Sequence, residues 1–141
     1  MRIPSVLSAA TLLLGSQAVL AQANLGELLE QGGRRLDKAE VQALLVGATL
    51  SGPTTTGGDI RLEVKADGSL SGNIRSVRSV GVTGTWKLED DARFCTDLTS
   101  AGPRPTQLTS CNHYYRRGTD FFAADAASTS ETPVRPRQVS R

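Results

Sequence analysis

Between Asp59 and Ile74 the stretch DIRLEVKADGSLSGNI sets Ile60, Leu62 and Val64 on alternate positions against Arg61, Glu63 and Lys65. That two-residue period marks a strand with one buried face. Asp67-Gly68 marks the turn that follows, and the apolar pattern fixes the length of that turn. A two-residue turn sets Val64 opposite Ser71 and Leu62 opposite Asn73, which sends Leu70 and Ile74 to the wrong face. A three-residue loop, Ala66 to Gly68, pairs Val64 with Leu70, Leu62 with Gly72 and Ile60 with Ile74. A slip of one residue turns over a whole strand, so the second register wins, with Gly68 as the left-handed residue of a bulged turn. A chain built around this hairpin is committed to an antiparallel sheet.

The alternation continues. Val80, Val82, Gly84, Trp86 and Leu88 share one face, Glu89 to Ala92 make an acidic turn, and Phe94 and Leu98 keep the same parity. Gly84 beside Trp86 marks a bend or room for a large neighbour. Gln107 to Tyr115 reads as a further strand, RRGT as a turn and DFFAA as the last strand. Ahead of the sheet, Leu25, Leu28 and Leu29 have helical spacing, stopped by Gly32-Gly33. A second helix over 38–46 is better marked. Asp37 caps it, Glu40 completes the capping box, Leu36 and Val41 form a hydrophobic staple, and Gly47 ends it. The expected fold is mainly β: an N-terminal helix packed on an antiparallel meander of about six or seven strands, forming a small barrel or sandwich.

Residues 1–23 carry the marks of a cleaved export signal. Met1-Arg2 gives a positive start, an apolar run extends from Val6 to Leu14, and small residues allow cleavage after Ala21 or Ala23. The run is too short and too broken by Ser8 and Thr11 to span a bilayer. Removing it takes away Arg2 and no acid, so the net charge falls from +2 to +1. A balance so close to neutral does not argue for a nucleic-acid partner, and the few scattered aromatics give no stacking platform. Residues 24–125 are expected to form a single domain. Residues 126–141, ASTSETPVRPRQVSR after Ala126, hold no aromatic, two valines, two prolines and three arginines. That composition reads as a disordered basic tail.

The chain has two cysteines and one histidine. In an exported protein Cys95 and Cys111 are expected to pair, closing a loop worth roughly 3 kcal/mol in the chain-entropy picture. If Cys95 faces Cys111, Leu98 faces Leu108, which puts the bridge on one face of a hairpin and Phe94, Leu98 and Leu108 on the other. Directly opposed strand positions are slightly wide for a disulfide, so a splayed ladder or non-adjacent strands stay open as alternatives. Cys111 with His113 forms a nucleophile and base only while the thiol is free, and a bridged sulfur has no such reactivity. Cys111, His113 and Asp97 make a weak metal set at best, without zinc-type ligand spacing. ADGSLSGN lacks the further acids of a calcium loop, and GPTTTGGD lacks the lysine of a phosphate loop. No enzyme activity, cofactor or metal is therefore expected. Tyr114, Tyr115, Arg116 and Arg117 place aromatic and guanidinium groups side by side, a candidate surface for an anionic sugar, a phosphate or an acidic protein.

The order of a helix, LLVGATLSG, DGSLSG, GTWKLEDDARFC and CNHYYRRGTDFF over residues 36–124 resembles a loose group of small exported bacterial proteins of uncharacterised function. The shared marks are a Gly-Thr-Trp strand, a cysteine just after it, and a second cysteine before an aromatic final hairpin. The resemblance implies a lipocalin-like small β-fold with a disulfide and no active site to transfer. Exported lysozyme inhibitors are small β-barrels of similar size, but their inhibitory loops have no counterpart here. The leading functional expectation is a periplasmic or extracellular non-enzymatic domain that binds a protein or cell-envelope component. The alternatives are a carrier of a small apolar ligand in a cavity beside Trp86 and, behind it, a hydrolase inhibitor.

Overall fold

The structure, a computed structural model, describes residues 23–141. The expected signal segment, apart from Ala23, lies outside the described residues. Two helices, α1 (Leu25–Glu30) and α2 (Lys38–Leu45), flank the short strand β1 (Arg34–Arg35). The strands that follow are β2 (Thr49–Pro53), β3 (Asp59–Val64), β4 (Ser69–Arg75), β5 (Ser79–Leu88), β6 (Phe94–Ser100), β7 (Gln107–Arg117), β8 (Asp120–Asp125) and β9 (Arg135–Ser140). All pairings are antiparallel. Strands β2 to β8 follow one another as a meander, β9 sits between β8 and β2, and β7 pairs with β8 to close an eight-stranded barrel. The mainly β small barrel expected from the sequence is what forms, and barrel rather than sandwich is the outcome.

The central hairpin adopts the register that the apolar pattern requires: Val64 opposite Leu70, Leu62 opposite Gly72 and Ile60 opposite Ile74. Gly68 has φ of 89°, the left-handed conformation that a residue without Cβ takes at little cost. Gly84 lies opposite Leu98, where an added Cβ would stand 1.8 Å from the Asp97 carbonyl oxygen. Only glycine lets the two backbones approach so closely at this bend of the barrel wall.

Helix α2 begins as its capping box dictates. The Asp37 carboxylate accepts from the Glu40 backbone N–H at 2.8 Å, and the Glu40 side chain accepts from the Asp37 N–H at 3.3 Å. Leu36, Val41 and Leu45 pack with Leu50, Leu62, Val64, Leu70, Val82, Phe94 and Tyr114 in one cluster. The helix therefore plugs the end of the barrel where β2 begins. Val41 and Leu45 are fully buried, each worth about 1.5–3 kcal/mol of transfer free energy. Helix α1 serves a second cluster on the outside, where Leu25 and Leu28 cover Tyr115, Phe122, Ala124 and Val134.

The disordered tail expected from composition is corrected here. Residues 126–134 are tied to the N-terminal segment, with the Leu25 N–H donating to the Thr132 carbonyl at 2.9 Å and the Val134 N–H donating to the Ala23 carbonyl at 3.0 Å. Arg135–Ser140 is then the strand that completes the barrel, so DFFAA is not the last strand. The physical reason is long-range. Strands β2 and β8 would otherwise present unpaired backbone edges to one another, and β9 satisfies both. Beyond it, the Arg141 guanidinium donates to the carbonyls of Val46 and Ala43 at the C-terminal end of α2, where the helix dipole favours a cation.

Candidate functional site

Because strands alternate, positions 108, 110, 112 and 114 of β7 face the barrel interior and positions 109, 111, 113 and 115 face outward. This parity decides the fate of every site residue named from the sequence. Cys95 and Cys111 oppose each other directly in the ladder, with Cα atoms 4.0 Å apart, and form a disulfide on the outer face. That spacing belongs to a narrow ladder pair, which answers the concern about reach. Leu98 faces Leu108 on the inner side, as the shared register requires.

The expected Tyr114–Arg117 surface is corrected, because its members part company. Tyr114 is 2% exposed and points into the barrel core, while Tyr115 is 6% exposed beneath α1. The Arg116 guanidinium lies 5.8 Å from the Phe121 ring centre, and the Arg117 guanidinium lies 5.1 Å from that of Phe122 on the opposite side. Arg117 also donates to the Gln31 side chain at the end of α1. Trp86 is half-buried and packs against the core cluster. Its indole N–H donates to the Lys65 carbonyl at 2.8 Å, and its ring stacks on Phe94 with centroids 5.7 Å apart.

His113 is buried on the outer side beside the disulfide, and its Nδ1 has no hydrogen-bond partner among the described residues. Burial lowers its pKa from the ordinary 6.5, the Arg35 charge adds to the effect, and Asp91 opposes it. A broad, solvent-open depression of about 870 Å³ runs past it, lined in part by Lys87, Asp91, Arg93, Asp97 and Asp125. The charges there are of both signs, and Asp91 and Arg93 already hold each other at 2.7 Å. Among the described residues no three His, Cys, Asp or Glu side chains are placed to hold a metal ion. Cys111, being bridged, has no thiolate to pair with His113.

The concavity with chemical definition lies inside the barrel, at the end opposite α2. It measures about 400 Å³ and is walled by Ile60, Leu62, Ile74, Phe94, Leu98 and Leu108, with the loop Thr54–Thr56 at its mouth. Phe94 is the link to Trp86, which itself does not line the cavity. Polar groups enter from β7 and β9. Asn112 and Tyr114 project from β7, and Arg135 and Arg137 project from alternate positions of β9. Arg135 donates to the Asn112 side-chain oxygen at 2.6 Å, and Arg137 donates to the Pro53 carbonyl at 2.8 Å. Thr96 and Ser110 share a hydrogen bond of 3.0 Å on the same wall. Burial raises the pKa of Tyr114, with the Arg137 and Arg135 charges acting the other way. Burial lowers that of Arg137, with Tyr114 opposing.

Sequence reasoning missed Asn112, Arg135 and Arg137. The signal that could have found the arginines is their spacing with Val139, inward positions 135, 137 and 139 of one strand. Comparison with protein-family models, with curated proteins and with solved structures finds no match for the chain.

Proposed function

We propose that the chain is an exported, non-enzymatic barrel that binds a small and largely apolar molecule in its interior. The observation that carries this reading is the cavity of about 400 Å³, which has apolar walls and a few convergent polar side chains. That combination is usual for small-molecule sites, where apolar surface supplies affinity and placed polar groups supply orientation. Helix α2 fills the far end of the barrel, so among the described residues the way in for a ligand runs past Thr54–Thr56. The disulfide fits an oxidising compartment and hence the expected signal segment. Reading the chain instead as a binder of a protein or envelope component rests on the expected signal, the disulfide and the missing catalytic constellation, which fit a small-molecule container equally well, and its candidate surface Tyr114–Arg117 is divided between the two sides of the barrel wall.

Titration of the purified protein with a panel of fatty acids, alcohols and aromatic acids, followed by calorimetry and by Trp86 fluorescence, tests the proposal. Binding is expected to quench or shift the emission, because Trp86 stacks on the cavity-wall residue Phe94. Ile74→Phe, which fills the cavity, should abolish the calorimetric signal while the far-ultraviolet spectrum stays unchanged. Absence of binding across the panel, or binding untouched by Ile74→Phe, would overturn the reading.

A further inference from the structure

We infer that the ligand of the interior cavity is an amphipathic anion, its oxyanion head group held by the guanidinium groups of Arg135 and Arg137 and its apolar part lying along Ile60, Ile74, Leu98 and Leu108. This rests on the reading of the barrel as a small-ligand container and specifies what that container accepts.

The three inward positions of β9 are Arg135, Arg137 and Val139, where a barrel strand ordinarily presents apolar side chains. The ladder neighbours of the two arginines on β8 are Ala123 and Phe121, neither of which bears charge. On the β2 side, a Cβ at Gly52 would stand 2.7 Å from Arg137 Nη1, so the glycine leaves the guanidinium its space. Among the described residues neither Arg135 nor Arg137 has a carboxylate within salt-bridge distance. On the neighbouring strand β8, Asp125 opposite Asn112 is exposed and accepts from the Ala127 N–H at 2.8 Å.

The partners that do reach the two arginines are neutral oxygens, those of Asn112 and of Pro53 and Pro136. Arg135 Nε is buried with no hydrogen-bond partner among the described residues. Two like charges two residues apart on one strand face, partly buried and without a counter-charge, make an unfavourable arrangement on their own. An oxyanion reverses the balance. A carboxylate accepts two parallel N–H bonds from a guanidinium fork, and charge-assisted bonds in a low-dielectric site are the strong ones. Tyr114 and Asn112 line the same end of the cavity and add neutral donors. Apart from Thr and Ser hydroxyls such as those of Thr96 and Ser110, the remaining wall is aliphatic and aromatic, which suits an acyl chain or a compact ring system rather than inorganic phosphate.

A matched set of ligands on the unaltered protein tests this. Decanoate, decyl phosphate and decanol present the same chain with and without an anionic head group, and calorimetry reads each affinity. The expected result is that at least one anion binds tenfold or more tightly than decanol, and that the preference shrinks in high salt. Which anion wins distinguishes a carboxylate from a phosphate ligand. Arg137→Gln should bring the anion down to the affinity of decanol while leaving decanol unchanged, and Arg137→Lys should recover part of the loss. Equal binding of anions and decanol would overturn the head-group assignment and leave the container reading standing. Binding of none of the three would remove both. Should Arg137→Gln fail to fold, the matched ligands on the native chain still decide the matter.

Discussion

Removing residues 135–141 should destroy the cooperative fold, and the size of the effect follows from the ladder. Strand β9 has three register positions against β2 and three against β8. Pro136 has no N–H to donate, so roughly five backbone hydrogen bonds are lost, each worth about 1 kcal/mol net. The same truncation takes away Val139, which packs against the core cluster, and the Arg141 contacts to the last turn of α2. A loss of ~5 kcal/mol or more compares with a total stability of about 5–15 kcal/mol for an ordinary domain. The shortened chain should therefore be unfolded or marginal at room temperature, with β2 and β8 exposed as sticky edges. Urea unfolding followed by Trp86 fluorescence and far-ultraviolet dichroism is the assay, with a chain lacking Arg141 alone as control. That control should lose only about 1 kcal/mol. A chain ending at Val134 that unfolds at the same urea midpoint and with the same slope as the full protein would refute β9 as the closing strand.

Three further outcomes are expected. Replacing both cysteines by serine should lower stability by roughly 3 kcal/mol, because the Cys95–Cys111 loop then regains its freedom in the unfolded chain. Urea midpoints with and without reductant check this, and a native protein indifferent to reductant would contradict it. Gly84→Ala should destabilise by about 1–3 kcal/mol, since the new methyl meets the Asp97 carbonyl and the strands must part; an unchanged thermal midpoint would count against the close approach. His113 has a folded pKa below its ordinary 6.5, so the unfolded chain takes up the proton first. Its contribution to stability is accordingly complete above about pH 6.5 and is lost as pH falls through the lower folded value. The stability of His113→Gln should be flatter than that of the parent between pH 7 and 5, and a parallel decline of the two would exclude this residue as the cause.

What was legible in the sequence was whatever local chemistry decides. The 59–75 hairpin could be registered because Ile60, Leu62 and Val64 admit only one set of partners, and α2 could be bounded because Asp37 and Glu40 satisfy each other's backbone donors. The site was not legible, and both misreadings there have the same physical origin. The composition of residues 126–141, poor in apolar side chains and rich in proline and arginine, argues for a tail, although Arg135 and Arg137 face inward. Tyr114 to Arg117 form a group only as neighbours in sequence. In a strand, neighbours in sequence face opposite ways, whereas residues far apart share a face. Asn112 and Arg135, separated by 23 positions, meet at 2.6 Å. Period-two alternation applied without regard to polarity would have placed 135, 137 and 139 on one inward face. Then the presence of charge on two of those three positions, rather than arguing against a strand, becomes the observation on which the proposed anionic ligand rests.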